Sequence, residues 1–530
     1  MMNLCQLIVQ SAERYPDSMA LSIPLSGSEY SHLSYRDFIN LAGHFQRQLI
    51  QSGFTTGDRL VLMIPPGLYL YPLLVAMLGL GIVAVMPERG LPKAQFRAAL
   101  RHCRPKAIIT VAAIGKFWPL IPELWRIKRL VVDRSMIGMK QLSASVNASD
   151  EAFICRSLTP ETTGLITFTS GTTGMPKGAN RTHGSLMEQH RAIENHFPSM
   201  GHHVDLHSFP VLVLQTLSMG QQSILPHFDF AKPGAVNPPD VIRQINRFDV
   251  TRISGAPAYM QKIIGYAQRQ GLTFPKVRQV VIGGAPGNKA LYQGCQQVFP
   301  LAQQHVIYGS TEAEPIASVD MQTLTECWAQ HDGYLVGKPI DVAEICLREI
   351  MLSGESGALK APIAGEIGEI LVAGPHVLSE YIDNPLATRL HKIPRKQGGI
   401  WHCTGDVGYF DDSGQIWLLG RVNDRISINQ QRVFYPYTAE KRLNDLREIE
   451  RCALVANPQG NAALILQCTC LPQELLTILE ELQLADVTRI YQISEMPVDV
   501  RHNSKINRLE LKRLLSKNAL TVCSLNREAV

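Results

Sequence analysis

A segment rich in glycine and hydroxyl side chains has the residue types that most clearly suggest chemistry. In LITFTSGTTGMPKG, residues 165–178, an apolar run ends and a loop with one lysine begins. Glycines let backbone N–H groups approach an anion, while the hydroxyls add donors and the lysine adds a positive charge. The segment therefore predicts a phosphate-binding loop made of Thr169, Ser170, Gly171, Thr172, Thr173, Gly174 and Lys177.

Two common nucleotide-binding motifs do not fit this loop. A Walker loop needs its lysine to be followed by serine or threonine, but Lys177 stands between Pro176 and Gly178. The dinucleotide pattern G-x-G-x-x-G is also absent from the loop. A plain surface turn is the alternative, although such a turn need not place four hydroxyls and a lysine at the end of a strand.

The loop resembles the signature T-S-G-T-T-G-x-P-K-G of the adenylate-forming superfamily, which includes acyl-CoA synthetases, luciferases and adenylation domains. Further segments match motifs of that family in the expected order. They are Gly283-Gly284-Ala285-Pro286, Tyr308-Gly309-Ser310-Thr311-Glu312, Thr404-Gly405-Asp406 and Gly420-Arg421. The resemblance covers essentially the whole chain and implies an ATP-dependent enzyme that forms acyl-adenylates.

The resemblance also implies a role for each matching residue. The segment from Gly283 to Pro286 and Tyr308-Gly309 would contact the adenine, with the Tyr308 ring stacked on it. Thr311 would contact the α-phosphate, and Glu312 would hold Mg²⁺. Asp406 would bind both ribose hydroxyls. Two arginines complete the nucleotide-binding set, namely Arg421 at the hinge and Arg432.

A lysine near the C-terminus is the strongest candidate for catalysis. Joining a carboxylate to the α-phosphate of ATP brings two anions together, so the site needs cations aimed at the charge that develops there. Lys505 matches the catalytic lysine of the family, which bridges the two groups. The neighbouring basic residues, Arg508 among them, are expected on a solvated helix face.

The residues around Lys505 narrow the resemblance. The sequence PVDVRHNSKINR, residues 497–508, looks like the C-terminal motif of the olefin-pathway β-lactone synthetases. Ordinary acyl-CoA ligases carry proline and glycine where this chain has Asp499 and Ser504. The resemblance implies a fatty-acid-type substrate, a β-hydroxy acid whose hydroxyl displaces AMP to close a β-lactone, and possible partners among olefin-pathway enzymes.

The need for coenzyme A is doubtful. Asn423 stands at a hinge position that is acidic or lysine in thioester-forming relatives, and Gln430 replaces a glycine where pantetheine would enter. Glutamine adds bulk and lacks the φ freedom of glycine. A ligase that forms a thioester with CoA or a carrier protein remains an alternative, as does a nucleotide-binding regulator without turnover.

The acyl-binding residues are only outlined by the sequence. Glu314 replaces an expected apolar residue and predicts a partly polar or narrower pocket. Apolar candidates for the lining could equally be plain core; they are Val211, Leu212, Val213, Leu214, Leu217, Ala256, Pro257 and Met260.

Composition limits the class of protein. A chain of 530 residues is too long for one ordinary core, so at least two domains are expected. The net charge of +5, from 51 basic and 46 acidic residues, does not suggest a nucleic-acid-binding protein. Eleven cysteines without metal-ligand spacing indicate reduced thiols in a cytoplasmic protein.

Strand-like segments, among them EILVAG at 369–374, alternate with helical segments over the first 420 residues, which indicates an α/β fold. Two later strand candidates are CALVA at 452–456 and AALILQ at 462–467. We expect a large N-terminal domain, residues 1–420, with parallel or mixed sheets in αβαβα layers. A small α+β domain is expected over residues 421–530, and the resemblance implies that it is mobile and swings about the segment near Asn423. The apolar segment 67–86 is broken by proline and glycines, which favours a buried helix and strand over a transmembrane span. Ser185 and Glu188 predict a capping box after the phosphate loop.

Overall fold

The structure is a computed structural model. It describes residues 3–25, 29–88, 91–143, 152–169, 176–199, 201–230, 233–351, 356–428, 432–457, 459, 461–486, 488–499 and 504–523, without the side chains of residues 169, 233 and 356. Residues 170–174 of the predicted phosphate loop and Gln430 lie outside the described residues.

Fifteen α-helices are present in the described residues. They are α1 Leu4–Arg14, α2 Tyr35–Gln51, α3 Leu70–Leu80, α4 Lys93–Cys103, α5 Ala112–Gly115, α6 His183–His196, α7 Leu212–Ser218, α8 Pro238–Arg247, α9 Pro257–Arg269, α10 Lys289–Val298, α11 Met321–Glu326, α12 Pro385–His391, α13 Pro436–Leu443, α14 Leu475–Glu481 and α15 Arg508–Ser516. Short 3₁₀ helices are Trp118–Leu120, Pro122–Leu124, Pro233–Ala235 and Val422–Asp424.

The same residues form 28 strands. They are β1 Met19–Pro24, β2 Tyr30–Ser34, β3 Arg59–Met63, β4 Val83–Met86, β5 Ala107–Thr110, β6 Lys128–Val131, β7 Lys140–Gln141, β8 Thr163–Thr169, β9 Lys177–Thr182, β10 Val204–His207, β11 Gln222–Ile224, β12 Arg252–Gly255, β13 Gln279–Gly283, β14 Gln303–Ser310, β15 Ala313–Asp320, β16 Tyr334–Pro339, β17 Glu344–Ile350, β18 Ser356–Lys360, β19 Gly368–Ala373, β20 Lys392–Pro394, β21 Ile400–Phe410, β22 Ile416–Arg421, β23 Ile426–Ile428, β24 Arg432–Phe434, β25 Ile449–Ala456, β26 Ala462–Cys468, β27 Thr488–Gln492 and β28 Thr521–Val522.

Two large sheets form the main body. The seven-stranded sheet has the order β7-β6-β5-β3-β4-β8-β9 and is parallel except for the β8–β9 pair. The fifteen-stranded sheet runs β18-β17-β19-β21-β22-β16-β15-β14-β13-β12-β10-β11-β1-β2, with β20 paired to β21. The strands from β10 to β14 are parallel, as the alternation of strands and helices predicts.

Helices cover both faces of these sheets and give the expected αβαβα layers. Alternate residues of β3 face opposite sides: Leu60 packs in a core with α1, α2 and α3, while Val61 packs in a core with α4. The first core also contains Leu21 of β1, so α1 to α3 lie between the two sheets. Helices α8 to α11 cover β10, β12 and β13 through a further core.

The apolar segment 67–86 forms the buried helix α3 followed by the strand β4, as predicted. Every residue of α3 is buried, which explains its uniformly apolar sequence. Among the described residues, no helix is long and apolar enough to span a membrane.

The strand sequence EILVAG is an exception to the β-α pattern. It forms β19, which pairs antiparallel with β17 and β21. From β14 onward this sheet is a succession of antiparallel pairs, in which neighbouring strands can be joined without a crossover helix. An apolar run alone does not reveal which type of neighbour a buried strand will have.

A separate set of sheets follows Arg421. Strands β23 and β24 form a hairpin, and β25 to β28 form a mixed four-stranded sheet. Helices α13 and α14 pack on one face of this sheet, and α15 packs on the other. The two predicted strands CALVA and AALILQ are thus present as β25 and β26.

Candidate active site

The predicted motif residues lie where strands of both large sheets end. Strand β8 ends at Thr169 and β9 begins at Lys177, while Thr311 and Glu312 form the turn between β14 and β15. Buried Arg181 joins the two sheets: its Nη2 donates to the Thr311 carbonyl at 3.0 Å, and its Nε donates to Thr167 Oγ1 at 3.3 Å. Strands β8 and β9, which precede and follow the phosphate loop, are therefore joined to the Thr311–Glu312 turn through Arg181.

The helix after the phosphate loop begins earlier than the predicted capping box. Thr182 is the N-cap of α6, and its side chain accepts from the Ser185 N–H at 3.1 Å. Glu188 pairs with Arg191 and does not cap. The prediction was wrong because Thr182 is an equally good cap that ends β9 directly.

The residues predicted to bind ribose and adenine are in contact. Tyr308 Oη donates to Asp406 Oδ2 at 2.8 Å, and Arg421 Nε lies 3.0 Å from Asp406 Oδ1. Burial, followed by the Asp406 charge, raises the pKa of Tyr308, while the Asp406 charge raises the pKa of Arg421. Asp406 and Arg421 face each other because β21 and β22 pair in that register. The Asp406 carboxylate is thus held by the Tyr308 hydroxyl and the Arg421 guanidinium.

The backbone around Asp406 is also fixed. Thr404 Oγ1 donates to the Ile370 carbonyl at 2.7 Å and accepts from the Asp406 N–H at 3.0 Å. Gly405 has φ +75°, a conformation that favours glycine, and its N–H donates to Glu369 at 3.1 Å. These hydrogen bonds hold the backbone of the T-G-D motif and so fix the position of the Asp406 side chain.

The predicted magnesium ligand is a buried carboxylate. Tyr381 Oη donates to Glu312 Oε1 at 2.8 Å, and the Leu378 N–H donates to the Glu312 carbonyl at 2.8 Å. Burial alone would raise the pKa of Glu312, but the His402 charge that is present in acid, the Lys392 ammonium and the Tyr381 hydrogen bond lower it to about 2. Glu312 is therefore ionised at neutral pH.

Cationic and imidazole side chains surround Glu312. Lys177 Nζ lies 2.6 Å from His391 Nε2 and 5.4 Å from the centre of the Tyr381 ring. Lys392 Nζ lies 5.5 Å from the same ring and donates to the Leu378 carbonyl. The two ammonium groups therefore flank the ring whose hydroxyl binds Glu312.

The histidines of this cluster are neutral. Burial, and then the charge of Lys177, lowers the pKa of His391 to about 4. Burial and the charge of Lys392 lower the pKa of His402 to about 3. Burial also lowers the pKa of Lys177, although Glu312 opposes that shift. Neutral His391 can accept a hydrogen bond from the Lys177 ammonium.

The predicted adenine loop begins at the end of β13. A side chain at Gly283 would lie 3.3 Å from the Ile307 carbonyl of the neighbouring strand, and Gly284 has φ +89°. The loop leaves the sheet beside β14, which contains Tyr308. Ala285 and Pro286 continue it, and the Gly287 N–H donates to Tyr292 Oη at 2.8 Å.

Lys505 lies in a hairpin in which Val498 pairs with Ile506, and this hairpin contacts α9. The Asp499 carboxylate accepts from the Ser504 N–H at 3.1 Å and from the Lys505 N–H at 2.7 Å, and the Asp499 N–H donates to the Lys505 carbonyl. Ser504 Oγ accepts from the Ala258 N–H at 3.3 Å, at the start of α9. The two departures from the ordinary ligase motif therefore shape this hairpin and dock it.

Other predicted residues lie away from this cluster. Arg432 of β24 donates to Gln483 and to the Leu482 carbonyl. All three residues lie in the part of the chain that follows Arg421, which we call the C-terminal unit. Among the acyl-pocket candidates, Val213, Leu214 and Leu217 belong to the core between the large sheets, and Met260 belongs to the core under α8 to α11. For these four, the interpretation as plain core is the better one.

The sequence analysis missed Tyr381, His391, Lys392 and His402. No motif marks them, and they follow Glu312 by many residues. Their proximity depends on the pairing of β20 with β21, which places Lys392 opposite His402, and on the return of the 381–384 segment over β9. Sequence spacing does not encode either contact.

A family comparison decides the identity. Residues 8–382 match the model of the family described as AMP-binding enzyme. The chain belongs to this family. It is an adenylate-forming enzyme, as its motifs predict.

Individual relatives of this AMP-binding enzyme are more specific. It is 28% identical to an olefin beta-lactone synthetase of Xanthomonas campestris pv. campestris, over 96% of each chain. An olefin beta-lactone synthetase of Stenotrophomonas maltophilia is also 28% identical, over 96% of this chain and 97% of the relative. A 2-succinylbenzoate–CoA ligase of Geobacillus kaustophilus is 30% identical, over 68% of this chain and 71% of the ligase.

Solved structures show the same fold. An O-succinylbenzoate coenzyme A synthetase from Bacillus subtilis in complex with AMP superposes with a TM-score of 0.76 at 21% identity, covering 96% of this chain and 98% of that one. An amide bond synthetase from Marinactinospora thermotolerans gives 0.79 at 19% identity, covering 97% and 100%. The AMP-binding enzyme therefore has the fold that the motifs predict.

Proposed function

We propose that this AMP-binding enzyme activates a β-hydroxy fatty acid with ATP and closes the resulting acyl-adenylate to a β-lactone without coenzyme A. The observation that carries the proposal is the similarity to two olefin beta-lactone synthetases over nearly the whole chain. The motif around Asp499, Ser504 and Lys505 supports it, since this is where the chain departs from ordinary ligases.

In the first step, a carboxylate oxygen of the fatty acid attacks the α-phosphorus of ATP, and pyrophosphate leaves. Lys177 and the loop before it bind the β- and γ-phosphates. Asp406 accepts from the ribose hydroxyls, and Tyr308 and the 283–286 loop contact the adenine. These roles place donors and cations where negative charge develops.

Magnesium fits the residues that are present. Glu312 is an ionised carboxylate oxygen donor, and Mg²⁺ characteristically binds one or two carboxylates together with substrate phosphates. Among the described residues, no group of three or more potential metal ligands is present, which suits a metal that arrives with ATP. When bound, the metal would neutralise charge on the phosphates, while Glu312 holds it and Tyr381 orients Glu312.

Lys505 stabilises the approach of the carboxylate to the α-phosphate. The hairpin that bears it docks at Ala258, beside the segment from Ala256 that we predict to be part of the acyl side. Residues 421–530 would form the lid that presents Lys505, and residues 1–420 would hold the nucleotide. Arg421, at the junction, contacts the ribose-binding aspartate directly.

In the second step, the β-hydroxyl oxygen attacks the acyl carbonyl carbon. The bond to AMP breaks, AMP leaves, and the hydroxyl proton is released. Because nucleophile and electrophile belong to one molecule, the reaction can draw on effective molarities of about 10⁵ M or more. No thiol has to enter the site.

The fatty-acid–CoA ligase reaction is the second candidate, favoured by the similarity to 2-succinylbenzoate–CoA ligase. In that reaction a CoA thiol attacks the acyl carbonyl. We further propose a cytoplasmic location, which the eleven free cysteines support, and partners among olefin-pathway enzymes.

The two reactions are separated by incubating the purified enzyme with ATP, Mg²⁺ and a series of β-hydroxy fatty acids, with and without CoA. We expect pyrophosphate, AMP and the β-lactone without CoA, measured by mass spectrometry. The matching fatty acid without a hydroxyl should give acyl-adenylate but no lactone. A thioester that forms only with CoA, in place of lactone, would overturn the proposal in favour of the ligase.

A further inference from the structure

Residues 93–140 carry far more positive charge than the rest of the chain. This stretch contains eleven lysine and arginine residues and two acidic residues, which gives a formal charge of +9. The chain as a whole carries +5, so the remaining residues sum to −4. The positive charge is thus concentrated in one part of the molecule, at α4 and the β5–β6–β7 edge of the seven-stranded sheet.

The two acidic groups of this stretch are already engaged. Glu123 pairs with Arg97 and Arg101, and Asp133 accepts from the Ala112 N–H at 2.8 Å. Arg126 and Arg134 are exposed and have no ion-pair partner among the described residues. Exposed cations therefore remain on this surface.

Large apolar side chains project from the same surface. Phe117 is 51% exposed, Leu120 61%, Trp125 58% and Ile137 95%. They come from three separate segments, yet each would gain free energy by leaving water. We call these four residues and the surrounding cations the basic apolar face.

Contacts within the face show that it is continuous. Gly138, next to Ile137, packs against the Trp118 ring, where an added Cβ would lie 3.0 Å away. Arg129 lies over the same ring at 4.2 Å and donates to the Gly138 carbonyl. The Trp125 indole N–H donates to the Pro119 carbonyl at 3.1 Å. These contacts join the segments from which the four apolar side chains project.

We propose that the basic apolar face binds the surface of an anionic lipid bilayer. Exposed aromatic and aliphatic tips surrounded by lysine and arginine are the combination that inserts at the headgroup boundary of anionic membranes. The concentrated cations complement the negative charge of the lipid headgroups. The exposed apolar side chains distinguish this face from a surface that binds phosphate groups by charge alone.

The face also adjoins the candidate active site. His102 of α4 makes a 2.7 Å hydrogen bond to the Ile382 carbonyl, next to Tyr381, and Arg59 pairs with Asp383. A bilayer bound here would hold the enzyme close to water-insoluble acyl chains. This membrane contact is independent of which second step the enzyme performs.

The test is co-sedimentation of the full chain with vesicles of phosphatidylcholine alone or with about one third phosphatidylglycerol. We expect binding to the anionic vesicles to exceed binding to the neutral ones by roughly tenfold or more, and to weaken between about 0.05 and 0.5 M salt. Equal binding to both vesicles, or none, would overturn the proposal.

Two double variants test the face itself. Leu120→Asp/Ile137→Asp and Arg126→Glu/Arg134→Glu should each lower vesicle binding about tenfold or more. The matched controls are Leu301→Asp/Ile363→Asp, at positions 60% and 55% exposed, and Arg269→Glu/Lys396→Glu. Equal losses in variants and controls would refute the face as the binding site.

Adenylation of a short, soluble acid by each variant shows that it has folded. A face-dependent complex with RNA or with an acidic protein, in place of vesicles, would overturn the lipid assignment.

Discussion

The ammonium groups of two lysines lie close to the Tyr381 ring, whose hydroxyl contacts the buried carboxylate of Glu312. Lys177 and Lys392 lie 5.4 and 5.5 Å from the Tyr381 ring centre, and the Tyr381 hydroxyl binds Glu312. A buried ammonium needs hydrogen-bond acceptors, and His391 supplies one for Lys177. Lys177, which we propose to bind phosphate, is thus held in place by a residue outside every recognised motif.

Removing the hydrogen-bond acceptor that His391 provides for Lys177 should weaken the binding of ATP but not that of AMP. We expect His391→Leu to raise the Kd for ATP about tenfold or more, because a hydrogen bond to a charged group is worth about 1.5–3 kcal/mol. The Kd for AMP, which lacks the β- and γ-phosphates, should stay within about twofold. Isothermal titration calorimetry with both nucleotides measures the difference.

His391→Gln, which retains an acceptor, should bind ATP nearly as well as the original enzyme. Lys177→Ala gives the reference for complete loss of the contact, and His203→Leu controls for loss of a half-buried histidine elsewhere. If ATP and AMP affinities fall together in His391→Leu, the role of His391 is general packing.

At the scale of elements, the hairpin around Lys505 depends on Asp499. Its carboxylate accepts two backbone N–H groups, those of Ser504 and Lys505. Aspartate side chains commonly accept hydrogen bonds from nearby backbone N–H groups in this way. The same hairpin is docked to α9 through Ser504.

Asp499→Ala should slow adenylation by about tenfold or more. A displacement of Lys505 by about 1 Å can lower the rate far more than the loss of the two hydrogen bonds alone would suggest. Asp499→Asn, which still has an accepting oxygen, should retain most of the rate. ATP–pyrophosphate exchange measures the rate of both variants. The Lys505→Ala variant, whose rate should fall by about 10²-fold or more, gives the reference for complete loss of the lysine. Exposed Glu495→Ala is the control. An unchanged rate in Asp499→Ala would show that the backbone at Ser504 and Lys505 is held in place without this carboxylate.

At the scale of the whole molecule, Arg508 joins α15 to α13 and to the 3₁₀ helix Val422–Asp424, at the start of the C-terminal unit. It is nearly buried and pairs with Glu440 at 2.7 Å and with Asp424 at 3.3 Å, and it donates to the Leu454 carbonyl. The expectation of a solvated basic helix face was therefore wrong for Arg508, because α15 turns this side chain inward. Asp424 directly follows the predicted hinge residue Asn423.

Arg508→Met should destabilise the C-terminal unit by about 3 kcal/mol or more, because it leaves the buried Glu440 carboxylate unpaired. Urea unfolding should then show a separate transition at lower denaturant. Adding Glu440→Gln should recover part of the loss. Arg513→Met, in an exposed pair on the same helix, should leave unfolding unchanged. Equal effects at Arg508 and Arg513 would contradict this account.

The sequence by itself determined the class of chemistry. The phosphate loop, the Y-G-x-T-E segment, Asp406, Arg421 and Lys505 can be identified because local motifs need particular residues at fixed short spacings. The α/β class was predictable for a similar reason, since buried strands and amphipathic helices leave a local periodic pattern.

Only the tertiary structure decided which side chains surround the motif residues in space. Tyr381, His391 and Lys392 reach Glu312 through strand pairing across long stretches of chain, and no local pattern encodes that proximity. The net charge of +5 likewise concealed a stretch of +9, because a sum over the chain carries no information about where charges lie. Exposure of Leu120 and Ile137 beside those charges becomes visible only when the folded surface is known, since apolar residues are usually buried.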